Sequence, residues 1–220
     1  MKTMKWLAVA AGLACTLPAL ADPLEQGDWE GSIGVAFLNS TEADFKGGTS
    51  ADFDSDSGFR AAFDYSLTDA LQVGASFGIG QRSYDATIFG DVLGQESSFR
   101  AKGDMDYSSL LATATYNLLD GPFRPFVTAG IGWSWVDTNI ATEPPETGCW
   151  WDPWYGYICT SWVNTRTLDG LTYQLGIGAR YDFGNNVAAH ASYRINWIDF
   201  DQADGTPDFD GFELGVGFKF

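Results

Sequence analysis

The chain has one histidine, His190, and Ser192 follows it by two positions. A histidine near a serine is the pair from which a hydroxyl nucleophile is activated, provided that a carboxylate orients the imidazole. Glu213 is the candidate carboxylate, and the competing reading is a set of packed polar groups. A second constellation is Asp52, Asp54 and Asp56, at alternate positions before Ser57 and Gly58. A calcium loop of the helix-loop-helix kind needs its glycine one place earlier and a bidentate Glu where Phe63 stands, so no metal ligand is assigned. Cys149 and Cys159 fit no zinc spacing; as an even pair in an exported chain they predict one disulfide. No cofactor is expected from any of these groups.

The elements that carry these residues are strands. At the carboxyl end Phe212, Leu214, Val216, Phe218 and Phe220 alternate with Glu213, Gly215, Gly217 and Lys219. A period of two is a strand signature, and a helix through the same residues would have no coherent face. The same alternation recurs over residues 29–37, 59–67, 71–79, 109–118, 125–135, 171–182 and 187–197. Leu111 interrupts it in the fourth of these. Short links at 68–70, 119–122 and 184–186 make hairpins. Longer polar stretches at 39–57, 82–104, 137–166 and 199–210 read as loops, and the second has enough β-branched and aromatic residues for its hairpin to continue.

Residues 1–21 have the form of a secretory signal peptide: Lys2 and Lys5, an apolar run, then Ala19-Leu20-Ala21. Cys15 lacks the large aliphatic residue that a lipoprotein box requires three places before it, where Gly12 stands. The mature chain is taken to start at Asp22 and to form one domain over 22–220. Without Lys2 and Lys5 the formal charge falls from −17 to −19, which argues against nucleic acid as a partner. No stretch after Asp22 is long and apolar enough for a transmembrane helix.

The composition of the two strand faces decides where these strands sit. The apolar face is large and continuous, while the other is built of Gly, Ala and Ser with a few charges. Water-facing sheet surfaces carry Lys, Glu and Thr instead. Tiny residues suit a crowded barrel interior, which turns the apolar face toward lipid. Aromatic residues collect at strand ends, with Trp29, Tyr65, Tyr116, Phe123, Tyr181 and Phe220 at one level and Trp133, Trp135 and Trp197 at the other. The predicted fold is therefore all-β, an eight-stranded antiparallel up-and-down transmembrane β-barrel. Its inward charges need partners. Glu30 and Lys219 meet when the barrel closes, Arg194 faces Glu213 across the last hairpin, Arg60 and Asp64 reach inward from one strand, and Arg180, Asp182 and His190 form a lower cluster.

Residues 124–133 (RPFVTAGIGW), 192–200 (SYRINWIDF) and 212–220 together resemble the small outer-membrane β-barrel family that includes the membrane domain of outer-membrane protein A and the opacity-type porin-like proteins. The resemblance covers the whole mature chain. It implies residence in the outer membrane of a Gram-negative envelope, with lipid and lipopolysaccharide as surroundings. It also implies that Phe212, Leu214, Val216, Phe218 and Phe220 form the signal read by the barrel-assembly machinery. His190 and Ser192 are similar to the His-x-Ser pair of lipid A deacylases, but Tyr193-Arg194 replaces the Asn-Ala that follows the Ser there, and Glu213 is more distant than the acidic partner of those enzymes. The function expected is a non-enzymatic structural or surface-interaction role, with a ligand met through long extracellular loops and no wide pore. Passage of small or apolar solutes and lipid A modification are the alternatives.

Overall fold

The computed structural model describes residues 25–220 apart from 46–48, 93–94, 142–145, 163–164 and 201–204. The leader expected at 1–21, with Cys15, lies outside the described residues. Every regular element described is a strand: β1 (Trp29–Leu38), β2 (Thr41–Phe45), β3 (Thr49–Phe53), β4 (Asp56–Ser66), β5 (Leu71–Val92), β6 (Gln95–Asn117), β7 (Phe123–Ala141), β8 (Glu146–Asp152), β9 (Gly156–Trp162), β10 (Thr165–Gly184), β11 (Val187–Phe200) and β12 (Asp208–Lys219).

Eight of these close an antiparallel barrel in the order β1, β4, β5, β6, β7, β10, β11, β12 and back to β1. Closure leaves no edge at the level of the membrane, which is the condition for a sheet to cross lipid. The seam runs from Glu30 opposite Lys219 to Leu38 opposite Gly211. It is finished by Trp29 and Phe220, whose backbone N–H groups each donate to the other's carbonyl. Their rings join Phe63 and Tyr65 in one aromatic cluster, with centroids 4.7 to 5.7 Å apart. At the β10–β11 turn Asn185 and Asn186 have φ of 52° and 62°. Two left-handed residues in succession twist a tight hairpin in the sense that its strands require.

The apolar face is the outer one. Ile33, Phe59, Leu175 and Ile177 are among its most exposed residues, and Phe212, Leu214, Val216, Phe218 and Phe220 all point outward along β12. From Phe212 to Phe220 the strand runs about 27 Å, which a tilt near 40° reduces to about 21 Å, close to the ~25 Å apolar band of an outer membrane. The inner face holds the glycines, because inward side chains need their space. A Cβ on Gly215 would fall 2.5 Å from the His190 ring, and one on Gly80 would strike the Tyr107 ring.

Three of the expected loops contain strands, the third holding the β8–β9 hairpin. The stretch read as an aperiodic loop at 39–57 forms the β2–β3 hairpin, and β3 pairs with β5 from Ser50 opposite Thr87 to Phe53 opposite Tyr84. The wall thus continues past the lipid level. The second loop is almost wholly strand, since β5 and β6 pair from Leu71 opposite Tyr116 up to Val92 opposite Gln95. On this tall hairpin Asp85 lies 2.7 Å from both Arg100 and Lys102. Hydrogen bonds from those two residues hold its carboxyl below the usual carboxylate range.

Candidate functional site

The lumen is filled in layers. Nearest the short turns, Arg180 places Nη1 2.8 Å from Glu30 and Nη2 2.9 Å from Asp182. Arg124 reaches the other oxygen of Asp182 at 3.2 Å, and its Nε donates to the Gly121 carbonyl at 2.7 Å. Glu30 and Lys219 are register partners, and the Glu30 carboxylate is directed to Arg180. Arg124 is a lumen charge that sequence periodicity did not single out. Its position just inside β7, after Gly121-Pro122, is the available signal.

One layer up, Glu213 is the hub. Its carboxylate lies 3.1 Å from Arg194 Nε, 3.2 Å from His190 Nε2 and 3.8 Å from Arg60 Nε. Arg194 also donates to Gln174 at 3.1 Å, and Arg60 to Ser76 and Gln174. Asp64, which shares β4 with Arg60, accepts from Thr113 at 3.4 Å. Ser192 Oγ accepts from Arg194 Nε at 3.1 Å while His190 is turned to Glu213. No hydrogen bond joins His190 to Ser192 among the described residues, and both residues face the lumen, away from a lipid substrate.

Above this level the interior becomes apolar. Ala43, Ala51 and Phe53 from the β2–β3 hairpin pack with Met105, Val136, Ile198 and Phe209. Arg82 threads this cluster, stacked 5.9 Å from the Phe53 centroid and 5.5 Å from that of Phe209. Its guanidinium donates to the carbonyls of Asn39 and Asp54, so it ties the first loop to the barrel wall. This cluster lies across the loop end of the lumen among the described residues.

Asp52, Asp54 and Asp56 do not converge. Asp52 is in β3, opposite Glu42 and Asp85, and its backbone is extended instead of wrapping round an ion. Among the described residues no group of three metal-ligating side chains comes together.

At the surface, Cys149 and Cys159 are disulfide-bonded and lie directly opposite each other in the β8–β9 hairpin, a two-stranded sheet separate from the barrel. Trp151 and Tyr157 meet edge to face at 6.0 Å. Asp152 Oδ1 accepts from the backbone N–H groups of Trp154 and Tyr155 at 2.8 and 3.0 Å, and Gly156 supplies a φ of 78°. That turn leaves Trp154 and Tyr155 90% and 83% exposed. Replacing both cysteines by Ser is expected to leave barrel unfolding within about 0.5 kcal/mol of wild type. The same change should make the 149–159 loop a protease cleavage site, because a closed loop this short loses about 2–3 kcal/mol of restraint. Unfolding curves and limited proteolysis check the two halves.

Residues 7–220 match the family model described as outer membrane protein beta-barrel domain. Among solved structures the fold is similar to Neisserial surface protein A, at 16% identity over 89% of this chain and 100% of that one, with a TM-score of 0.55. It is also similar to the outer membrane protein OprG from Pseudomonas aeruginosa, at 16% identity over 90% of this chain and 98% of that one, TM-score 0.51. No curated protein matches the chain significantly.

Proposed function

The chain belongs to the outer membrane protein β-barrel family, and from that premise we propose that it is a surface-contact protein of the outer membrane whose working part is the aromatic β8–β9 hairpin. One observation carries this reading: five aromatic residues, Trp150, Trp151, Trp154, Tyr155 and Tyr157, stand exposed on a disulfide-closed hairpin. Soluble surfaces rarely present so much apolar area without a contact to make. Tyr and Trp also lose little conformational entropy when they are bound. The filled lumen supports the same reading, since buried ion pairs and an apolar cluster occupy much of the barrel interior. Lipid and lipopolysaccharide surround the outward face in this account, and the outward residues of β12 serve the assembly machinery. His190 and Ser192 serve as lumen packing in it, and not as catalysts.

The experiment compares cells displaying the wild-type barrel with cells in which Trp150, Trp151, Trp154 and Tyr155 are replaced by Ser and the disulfide is kept. Adhesion to epithelial monolayers is measured at matched surface levels. Loss of adhesion on substitution is the expected result. Equal adhesion would remove the hairpin from the function.

A further inference from the structure

Among the described residues two cavities lie inside the barrel, and their linings differ. The lower, about 50 Å³, is lined by Arg60, Arg180 and Arg194 against Glu30, Asp64 and Glu213, so its formal charges balance with His190 neutral. The upper, about 100 Å³, is lined by Arg60, Arg82 and Arg194 against Glu213 alone. Asp64 also acts on Arg60, and Asp54, Asp56 and Asp210 act on Arg82, so what this cavity lacks is a hydrogen-bond acceptor and not a countercharge. Arg82 is occupied by the carbonyls of the first loop. Arg60 is not fully occupied: its buried Nε has no hydrogen-bond partner, and Glu213 at 3.8 Å is too far to be one.

The opposite wall of the upper cavity is apolar, formed by Leu38, Met105, Val136, Ile198 and Phe209. Water in this space would find its partners on the side of Arg60, Gln174, Asn196 and Arg194 and few against the apolar wall, where a buried water needs two to four. A small molecule with an anionic head and a short apolar tail satisfies both ends.

We propose that the upper cavity is a binding site for a short-chain monocarboxylate, its carboxylate on Arg60 and Arg194 and its tail beneath Val136, Ile198 and Phe209. The volume sets the length. A cavity of about 150 Å³ accepts benzene, so one of this size suits an acid of about three or four carbons. The carboxylate supplies the acceptor that Arg60 Nε lacks, and a charge-assisted pair in such a place is strong. A ligand held in this way binds the folded barrel and not the unfolded chain, so its occupancy raises stability.

The test titrates the purified full-length barrel in detergent micelles with butyrate, followed by calorimetry and thermal unfolding. One butyrate bound per barrel with a raised unfolding temperature is expected, and butylamine and butanol should produce neither effect. Arg194→Gln should weaken butyrate binding by about tenfold to a hundredfold. That variant also disturbs Glu213, so Ala36→Leu provides the second arm. Ala36 lines the same cavity, and leucine there fills the space while every charge is retained, which should abolish binding in a barrel that still folds. The proposal is overturned if wild type shows no saturable butyrate binding, if butanol binds equally well, or if Ala36→Leu leaves the affinity unchanged.

Discussion

Replacing Glu213 by Leu is expected to destabilise the barrel by about 3–5 kcal/mol. Glu213 is 5% exposed and is shared by Arg194, Arg60 and His190. The carboxylate compensates two guanidinium groups that have already lost their water. Removing it leaves them facing each other across a small interior, and the cost comes from those stranded charges more than from the lost contacts. Glu213→Gln separates the two contributions, because the amide keeps one acceptor and the shape while the charge is lost. Its effect should fall between wild type and Leu. Urea unfolding of refolded barrel, followed by tryptophan fluorescence, reads both, and a cycle with Arg194→Gln should show coupling. A Leu variant as stable as wild type would mean that the hub holds nothing together.

The second large effect is expected from Gly132→Val. Gly132 sits in β7 between Leu111 and Thr172. A Cβ built there strikes the Leu110 carbonyl and lies 2.7 Å from Leu111 Cα. Both atoms are backbone and belong to a paired strand, so no side chain can swing aside. Overpacking of this kind costs about 1–3 kcal/mol when the surroundings can give, and here the expected cost is at the upper end, about 3 kcal/mol, with a reduced yield of folded barrel. Gly31→Ala is the control. Its nearest neighbour is the Phe220 ring at 3.8 Å, an ordinary contact, so a change within about 0.5 kcal/mol is expected. Gel migration of boiled and unboiled samples, together with urea unfolding, distinguishes the two variants. Equal tolerance would show that inward glycines are not required for space.

What was legible in the sequence follows from what a period of two encodes. It assigns each side chain to a face, so the lipid-facing set on β12 and the inward set around Glu213 both follow from alternation. The contact of Arg194 with Glu213 needed only that β11 and β12 be neighbours: Ser192 is the register partner of Glu213, and Arg194 reaches its carboxylate diagonally. Pairing between strands that are distant in sequence was not legible, because it depends on how far the sheet is staggered at closure. Stagger is why the Glu30 carboxylate reaches Arg180 while Lys219 is its cross-strand register partner. The first loop was obscured by its acidic, Gly- and Ser-containing composition. Its signal was short but present: Thr-x-Ala-x-Phe occurs at 41–45 and again at 49–53, and Ala43, Ala51 and Phe53 are buried at the mouth. Leu111, which broke the alternation in β6, is one of the most deeply buried side chains. A residue that looked irregular on the sequence is an apolar filler of the lumen.

The central claim is that this outer-membrane barrel is closed and makes its contacts at the surface. Planar-bilayer recording of the purified wild-type barrel tests it most directly. With the charged layers around Arg180 and Glu213 intact and the Arg82 cluster over them, no steady conductance is predicted at any applied voltage below membrane rupture. Stable, reproducible conductance steps from wild-type protein would contradict it, because they would require a continuous water path through a lumen that these side chains fill.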